Sequence, residues 1–311
     1  MIHFHDALFK VRLMCRVLRV SPSGYYEWRS RTPASNARRR EWLDVQVQAA
    51  FVAEKGRAGA PRVVRRLKAQ GHRCGRHHVA RSMRRQGLRA KAARKFKATT
   101  NANHTLAVAP NLLQQDFSAE RANQKWVADM TYIPTGEGWL YLAVVMDLYS
   151  RRVVGWSMSS RMTATLVCDA LRMAIFRRQR PCGVIVHSDR GSQYCSKEHR
   201  GLLDQHGMIC SMSAKGNCYD NAAMESWNHS LKVEAIHGER FDTRDGAMAH
   251  VFDYIEVYYN RQRLHSLLGY FSPEAFELSQ VAYPCVRETG ARSEIVFIVF
   301  SGVVPMLVCR A

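Results

Sequence analysis

Apolar residues recur at helical spacing in the first part of the chain and at strand spacing further on. Over 7–20, Leu8, Val11, Cys15 and Leu18 fall on one side of a helix. Ser21-Pro22-Ser23-Gly24 breaks that helix. Tyr25, Tyr26 and Trp28 then give a short helix an aromatic face, and 29–40 is polar and Arg-rich. Residues 1–40 therefore read as an N-terminal helical segment with a basic linker. Residues 41–91 read as a small domain of three helices. The first spans about 41–54. The second opens at Pro61, a residue suited to a first helical turn, and ends before Gly71. The third covers about 76–86, with Val79 and Met83 facing in, and Arg81, Arg84 and Arg85 facing out.

The period changes after a polar stretch at 92–122, which reads as a linker. Trp126–Ile133 and Trp139–Leu148 are β-rich, with a turn between them at Pro134-Thr135-Gly136-Glu137-Gly138. Arg152–Met158 is a third strand. Thr163–Arg178 is a helix with Leu166, Ala170, Met173 and Ala174 on one side. The apolar run Gly183–His187 is a buried strand, followed by a helix at about 196–206 and a strand at 208–212. Residues 220–237 and 243–259 read as two more helices. This order predicts an α/β domain, a mixed sheet covered by helices, over 123–280.

Charge sharpens the division. The chain has a net charge of +20. Residues 1–115 hold 25 Lys and Arg against 5 Asp and Glu, whereas the rest is neutral. A basic arm on a neutral body suits a polyanion partner. Helix, turn and Arg-bearing helix over 61–86 matches a helix-turn-helix, whose last helix enters the major groove. Arg62, Arg65, Arg81, Arg84 and Arg85 are the candidate DNA contacts, against the alternative of an ordinary three-helix core with a basic surface. The nine cysteines are an odd number with no CxxC pair and read as free thiols of a reducing cytoplasm. No signal peptide or membrane span is expected, since the most apolar run, Ile295–Cys309, is too short.

Three acids stand out by position. Asp129 interrupts the apolar first strand, which is costly unless the carboxylate is paired or bound to metal. Asp189 follows the strand ending at His187, where α/β sheets present ligand sites. Glu225 sits on the helix over 220–237, and Asn221, Glu225, Asn228 and Lys232 share one face of it. Clustered carboxylates repel one another and are stabilised by Mg²⁺, which prefers oxygen ligands. A pair of such ions can serve in-line displacement at phosphorus.

The blocks WVADMTYI, HSDRGSQY and KGNCYDNAAMESWNHSLKVE resemble the catalytic blocks of bacterial insertion-sequence transposases of the IS3 family, second reading frame. GWLYLAVVMDLYSRRVVGW, RLHSLLGYFSPEAFE and GAPRVVRRLKAQGHRCGRHHVARSMRRQGL match the same family. Asp189 and Glu225 are separated by 35 residues, the spacing typical of the group. The resemblance implies an RNase H-like, integrase-type catalytic core preceded by a helix-turn-helix domain. It implies Asp129, Asp189 and Glu225 as metal-binding catalytic acids using two ions, Mg²⁺ or alternatively Mn²⁺. The implied reaction is 3′-end cleavage by water, then attack of the 3′-OH on target DNA. Lys215, Asn221, Asn228 and Lys232 become candidate DNA contacts near the site. The implied partners are element ends and target DNA, a homo-oligomer on that DNA and an upstream-frame protein, at the bacterial nucleoid.

Some residues depart from the family or lead elsewhere. Ala58 stands where Tyr is frequent, and Trp227 where Phe is common. The apolar tail over 281–311 matches none of the blocks and reads as translation past a damaged natural end or as an added strand. A non-catalytic DNA-binding regulator is the alternative function, and it has no need of three convergent acids. His72, Cys74, His77 and His78 lack the second spaced pair that a zinc site requires. Asp147 reads as a structural anchor near Arg151 or Arg152, and Asp116 and Glu234 as peripheral.

Overall fold

Helical spacing organises the first third of the chain into two small clusters. The structure, a computed structural model, describes residues 2–31, 35–91, 108–214 and 218–281. Most of the expected linker and nearly all of the tail lie outside the described residues. Helices α1 (Ile2–His5), α2 (Val11–Val17) and α3 (Pro22–Ser30) meet around Ile2, Cys15 and Tyr25. The Ser21 hydroxyl accepts from the Gly24 amide at 3.4 Å and caps α3, whereas α2 ends earlier than expected, at Val17 with Leu18 as its C-cap.

Helices α4 (Ser35–Ala53), α5 (Ala60–Ala69) and α6 (Arg76–Arg85) enclose Val47, Ala58, Val63, Leu67, Val79 and Met83. α4 starts earlier than its apolar pattern suggests, because the Arg-rich stretch 35–40 forms its exposed first turns. Asp44 of α4 accepts from Ser82 and Arg85 of α6 and fixes the two helices together. Ala58 is fully buried among them, so a larger residue there would have to displace its neighbours.

The second domain is built on a five-stranded sheet. Its strands are β1 (Lys125–Thr135), β2 (Gly138–Asp147), β3 (Val153–Ser159), β4 (Ile185–Ser188) and β5 (Ile209–Met212), in the order β3-β2-β1-β4-β5. β1 and β3 pair antiparallel with β2, whereas β4 runs parallel to β1 and β5. Alternation along β1 sends Trp126 and Ala128 to one face, and Val127 and Ile133 to the other. The first face is covered by α7 (Ala164–Arg177) and α8 (Lys197–Gln205). Gly155 is required there, because a Cβ on it would stand 2.1 Å from the Ala170 carbonyl oxygen of α7.

The other face is covered by α9 (Ala222–Leu231) and α10 (Arg244–Phe252). Both continue into π-helical turns, Lys232–Ile236 and Asp253–Tyr259, where the expected helices were regular. The inserted residue in such a turn re-aims the side chains after it. Glu234, Tyr254, Tyr258 and Tyr259, all buried, lie within these two turns. α11 (Pro273–Val281) closes the domain, with Arg152 bonded to Glu274 and Glu277. Asp147 anchors the β2 end, as expected, but through the Asn123 and Tyr149 amides and an ion pair with Arg178.

Glu234 is not peripheral. Its carboxylate accepts from Arg263, from Tyr254 and, across the domain boundary, from Arg62 at 3.0 Å. Arg57 donates to the Glu234 carbonyl at 3.1 Å and lies over the Tyr258 ring at 4.5 Å. Glu54 accepts from Tyr258 and Arg66. The helical domain is thus docked on the turn that extends α9. Among the described residues no helix is long and apolar enough to cross a membrane.

Candidate active site

The register of the parallel pair brings the first two acids together. Ala128 pairs with Ser188 in the last β1–β4 rung, and Asp129 and Asp189 are the next residues on their strands. Asp189 turns back onto its own loop, where its Oδ1 accepts from the Gly191 amide at 2.9 Å. A Cβ at Gly191 would stand 3.0 Å from that oxygen, so glycine leaves the carboxylate room. Beneath the loop, His187 is buried between Ser211 and Ser213, with ring nitrogens 2.8 and 3.2 Å from their hydroxyls. Burial lowers the His187 pKa, which leaves a neutral strut between β4 and β5.

The third acid comes from the helix packed on this face. Glu225 is exposed in the first turn of α9. Asn228, one turn later, donates from Nδ2 to Asp129 Oδ2 at 2.8 Å. The Lys232 ammonium lies 5.2 Å from the Tyr132 ring centroid, so the polar face read from the sequence lies against β1. Asp220 holds the approach to α9 by accepting from the Ala214 amide at 2.7 Å and from Asn111 at 2.9 Å.

Electrostatics record how close the acids stand. Burial raises the Asp129 pKa to about 8, and the Asp189 and Glu225 charges add to the rise, against hydrogen bonds from Met130 and Asn228. The Tyr194 phenol is buried beside the same pair. Burial first, then Asp129 and Asp189, pushes its pKa well up. Among the described residues no three His, Cys, Asp or Glu side chains stand close enough to hold one ion together. The donors are all carboxylate oxygens, which fits a hard divalent cation such as Mg²⁺ and not a thiolate-preferring metal.

The expected DNA contacts divide into separate groups. Arg81 and Arg84 are exposed on α6. Arg85 shares that helix but bonds Asp44. Arg62 and Arg65 face the second domain, one bonded to Glu234 and the other 4.7 Å from the Tyr270 ring centroid. Asn221 is buried at the start of α9, and Asn228 is engaged by Asp129. Lys215 lies outside the described residues. His72 packs edge-on against Trp42 with ring centroids 5.0 Å apart, which accounts for one member of the His/Cys group.

Sequence reasoning missed Asp220, Tyr194 and Glu234. Asp220 was legible in principle as an acid directly before the polar face of α9. Tyr194 and Glu234 gave no local signal, because each matters through partners far away in sequence.

Two integrase core domain models match residues 119–218 and 225–280, and an HTH-like domain model matches 37–96. The core has the integrase-like RNase H fold, preceded by a helical HTH-like domain. Transposase InsF for insertion sequence IS3A of Escherichia coli (strain K12) is 56% identical over 283 residues, covering 90% of this chain and 98% of the relative. The insertion element IS600 31 kDa protein of Shigella sonnei is 47% identical, covering 85% of this chain and 97% of the relative. The catalytic core domain of HTLV-2 integrase in complex with magnesium, in its dimeric form, gives a TM-score of 0.37 at 14% identity. That match covers 51% of this chain and 99% of the integrase chain.

Proposed function

The chain belongs to the transposases of the IS3 insertion-sequence family, and on that premise we propose that Asp129, Asp189 and Glu225 are its catalytic, metal-binding acids. They act in 3′-end cleavage of the element and in transfer of the freed 3′-OH to target DNA. The observation that carries this reading is the adjacency of Asp129 and Asp189 just past the last β1–β4 rung, with α9 tied to Asp129 through Asn228.

Two divalent ions, Mg²⁺ or Mn²⁺, would supply the positive charge that lets three carboxylates share one place and would polarise the attacking and leaving oxygens. The protein's own part is placement. β1 and β4 carry Asp129 and Asp189 at neighbouring positions, α9 carries Glu225 on the face that meets β1, and Asn228 bonds the Asp129 carboxylate. Arg81 and Arg84 on α6 bind DNA phosphates or base edges at the element ends. Arg62 serves domain docking instead. Joining two element ends to one target calls for more than one copy of the site, so the working form is a multimer on DNA. An upstream-frame partner belongs to the same reading.

The test is cleavage and joining of a labelled duplex carrying the terminal sequence of the encoding element, with and without Mg²⁺. Joined product from the wild type and none from Glu225→Gln supports the assignment. Binding without chemistry in both proteins favours the DNA-binding regulator.

A further inference from the structure

Past its last rung with β4 at Ala128, β1 runs on from Asp129 to Thr135 with β2 on one side and no strand on the other among the described residues. Asp129 stands at the start of this open edge, and aromatic rings mark its far part. Tyr132 lies opposite Tyr141 and Trp139 opposite Pro134, so Tyr132 and Trp139 are diagonal neighbours. Their rings meet edge-on, with centroids 4.8 Å apart. Lys232, which ends the polar stripe of α9, stands 5.2 Å from the Tyr132 ring centroid. α9 covers the Asp129 face of the sheet, whereas alternation sends Tyr132 to the other face. The contact between Lys232 and Tyr132 therefore reaches across the open edge.

Trp139 is 48% exposed. One exposed indole needs no explanation by itself, but the hairpin that carries it is firmly seated. Arg244 donates from Nε to the Trp139 carbonyl at 3.2 Å, and its amide donates to the Glu137 carboxylate at 2.8 Å. The Gly136 amide donates to the Phe241 carbonyl at 2.8 Å. A Cβ on Gly136 would stand 2.5 Å from the Asp242 carbonyl oxygen, so glycine alone lets the turn lie this close. The hairpin is thus in place before any ligand arrives, which lowers the ordering cost of binding. A single ring is too small to serve as an apolar protein-docking patch. A ring beside a lysine suits a nucleotide, whose base stacks while its phosphate meets the cation.

We propose that the exposed Trp139 ring is a stacking platform for an unpaired base of the DNA strand that runs from the catalytic acids along the open β1 edge. The inference rests on Asp129 belonging to the catalytic set, since that places DNA at the start of the edge. The base is an unpaired one, because a base inside a duplex is already stacked on both faces. At ~3.4 Å per residue, Pro134 lies about 17 Å beyond Asp129 along β1. Stacked nucleotides are spaced ~3.4 Å along one strand, so the platform is about five nucleotides from the acids.

The experiment measures binding of full-length protein, without divalent metal, to the labelled element-end duplex carrying a single-stranded extension of about five nucleotides, placed on either strand in turn. The control probe has the same extension with its bases removed, so that both probes carry the same phosphates and differ only in what can stack. The wild type is expected to prefer the extension with bases by about tenfold, the share of one stacked base, on one of the two strands. The two probes should give the same salt slope, because the preference is not electrostatic. Trp139→Ala should bind both probes alike, and Trp139→Phe should restore the preference. If Trp139→Ala does not fold, Trp139→Leu keeps an apolar side chain without an aromatic face and is put through the same comparison. No preference in the wild type on either strand, a preference kept by Trp139→Leu, or one lost in Trp139→Phe overturns the proposal. The readout is binding alone, so a missing preference beside a Glu225→Gln variant that still loses joining sinks the platform and spares the catalytic acids.

Discussion

Arg263 and Glu234 form two parallel hydrogen bonds, Nε to Oε2 and Nη2 to Oε1, each 2.8 Å long. The pair is buried, and the same carboxylate reaches Arg62 of the helical domain. Planar bidentate pairing of this kind fixes orientation as well as charge. The turn that extends α9 is therefore held at one point by its own domain and by the other.

Removing the charge from Glu234 should loosen that joint. Glu234→Gln leaves Arg263 and Arg62 without a counter-charge, and breaking a buried pair from one side costs about 3–5 kcal/mol. Burial alone would raise the Glu234 pKa, but hydrogen bonds and charge from Arg263 and Arg62 outweigh it and hold it low. A depressed carboxyl pKa stabilises the fold above the ordinary glutamate value of 4.5, and the contribution fades as pH falls through the lower folded value. Thermal melts of wild type and Glu234→Gln should differ most near neutral pH and converge in acid. A constant gap down to the acid limit would count against the pair as the cause.

Asn228 should matter to rate more than to binding. Asn228→Ala frees the Asp129 carboxylate from its hydrogen bond with α9, and loss of an outer partner of a metal ligand typically costs 10–100-fold. Single-turnover strand transfer should fall by about that factor while end binding is unchanged. Equal losses in both would mean that Asn228 contacts DNA directly.

Asp189→Asn should keep DNA affinity and lose joining by more than the factor expected for Asn228→Ala, since a ligand and not its support is weakened. Strand transfer retained by this variant would remove Asp189 from the catalytic set.

Divalent metal should stabilise the folded protein. A ligand at a hundred times its Kd adds about 2.7 kcal/mol, here by offsetting the burial, and after it the repulsion from Asp189 and Glu225, that lift the Asp129 pKa to about 8. Mg²⁺ should raise the melting temperature of the wild type and much less that of Asp129→Asn. Equal shifts in the two would point to binding elsewhere.

Reversing charge at Arg81 and Arg84 together should weaken end binding and lower the salt slope by about two or more, as each loses a phosphate contact. Arg62→Glu should instead destabilise the domain joint, seen as a lower melting temperature. An unchanged salt slope in the Arg81 and Arg84 variant would take α6 off the DNA.

The sequence by itself determined the elements and nominated the three acids. Period-2 and period-3.6 patterns depend on local geometry, so β1 to β5 and the three helices of the small domain were legible, with ends displaced by a few residues. Asp129, Asp189 and Glu225 stood out because an acid inside or directly after an apolar strand, or within a family block, is a local anomaly. Only the tertiary structure decided which basic residues are free. Arg62 and Arg84 look alike in sequence, yet one is matched by Glu234 and the other is exposed. The Asn228–Asp129 bond was equally hidden, because it joins segments far apart in the chain. Pairing energy at such sites depends on burial and on a partner's position, and neither is written in the spacing of residues along one strand or helix.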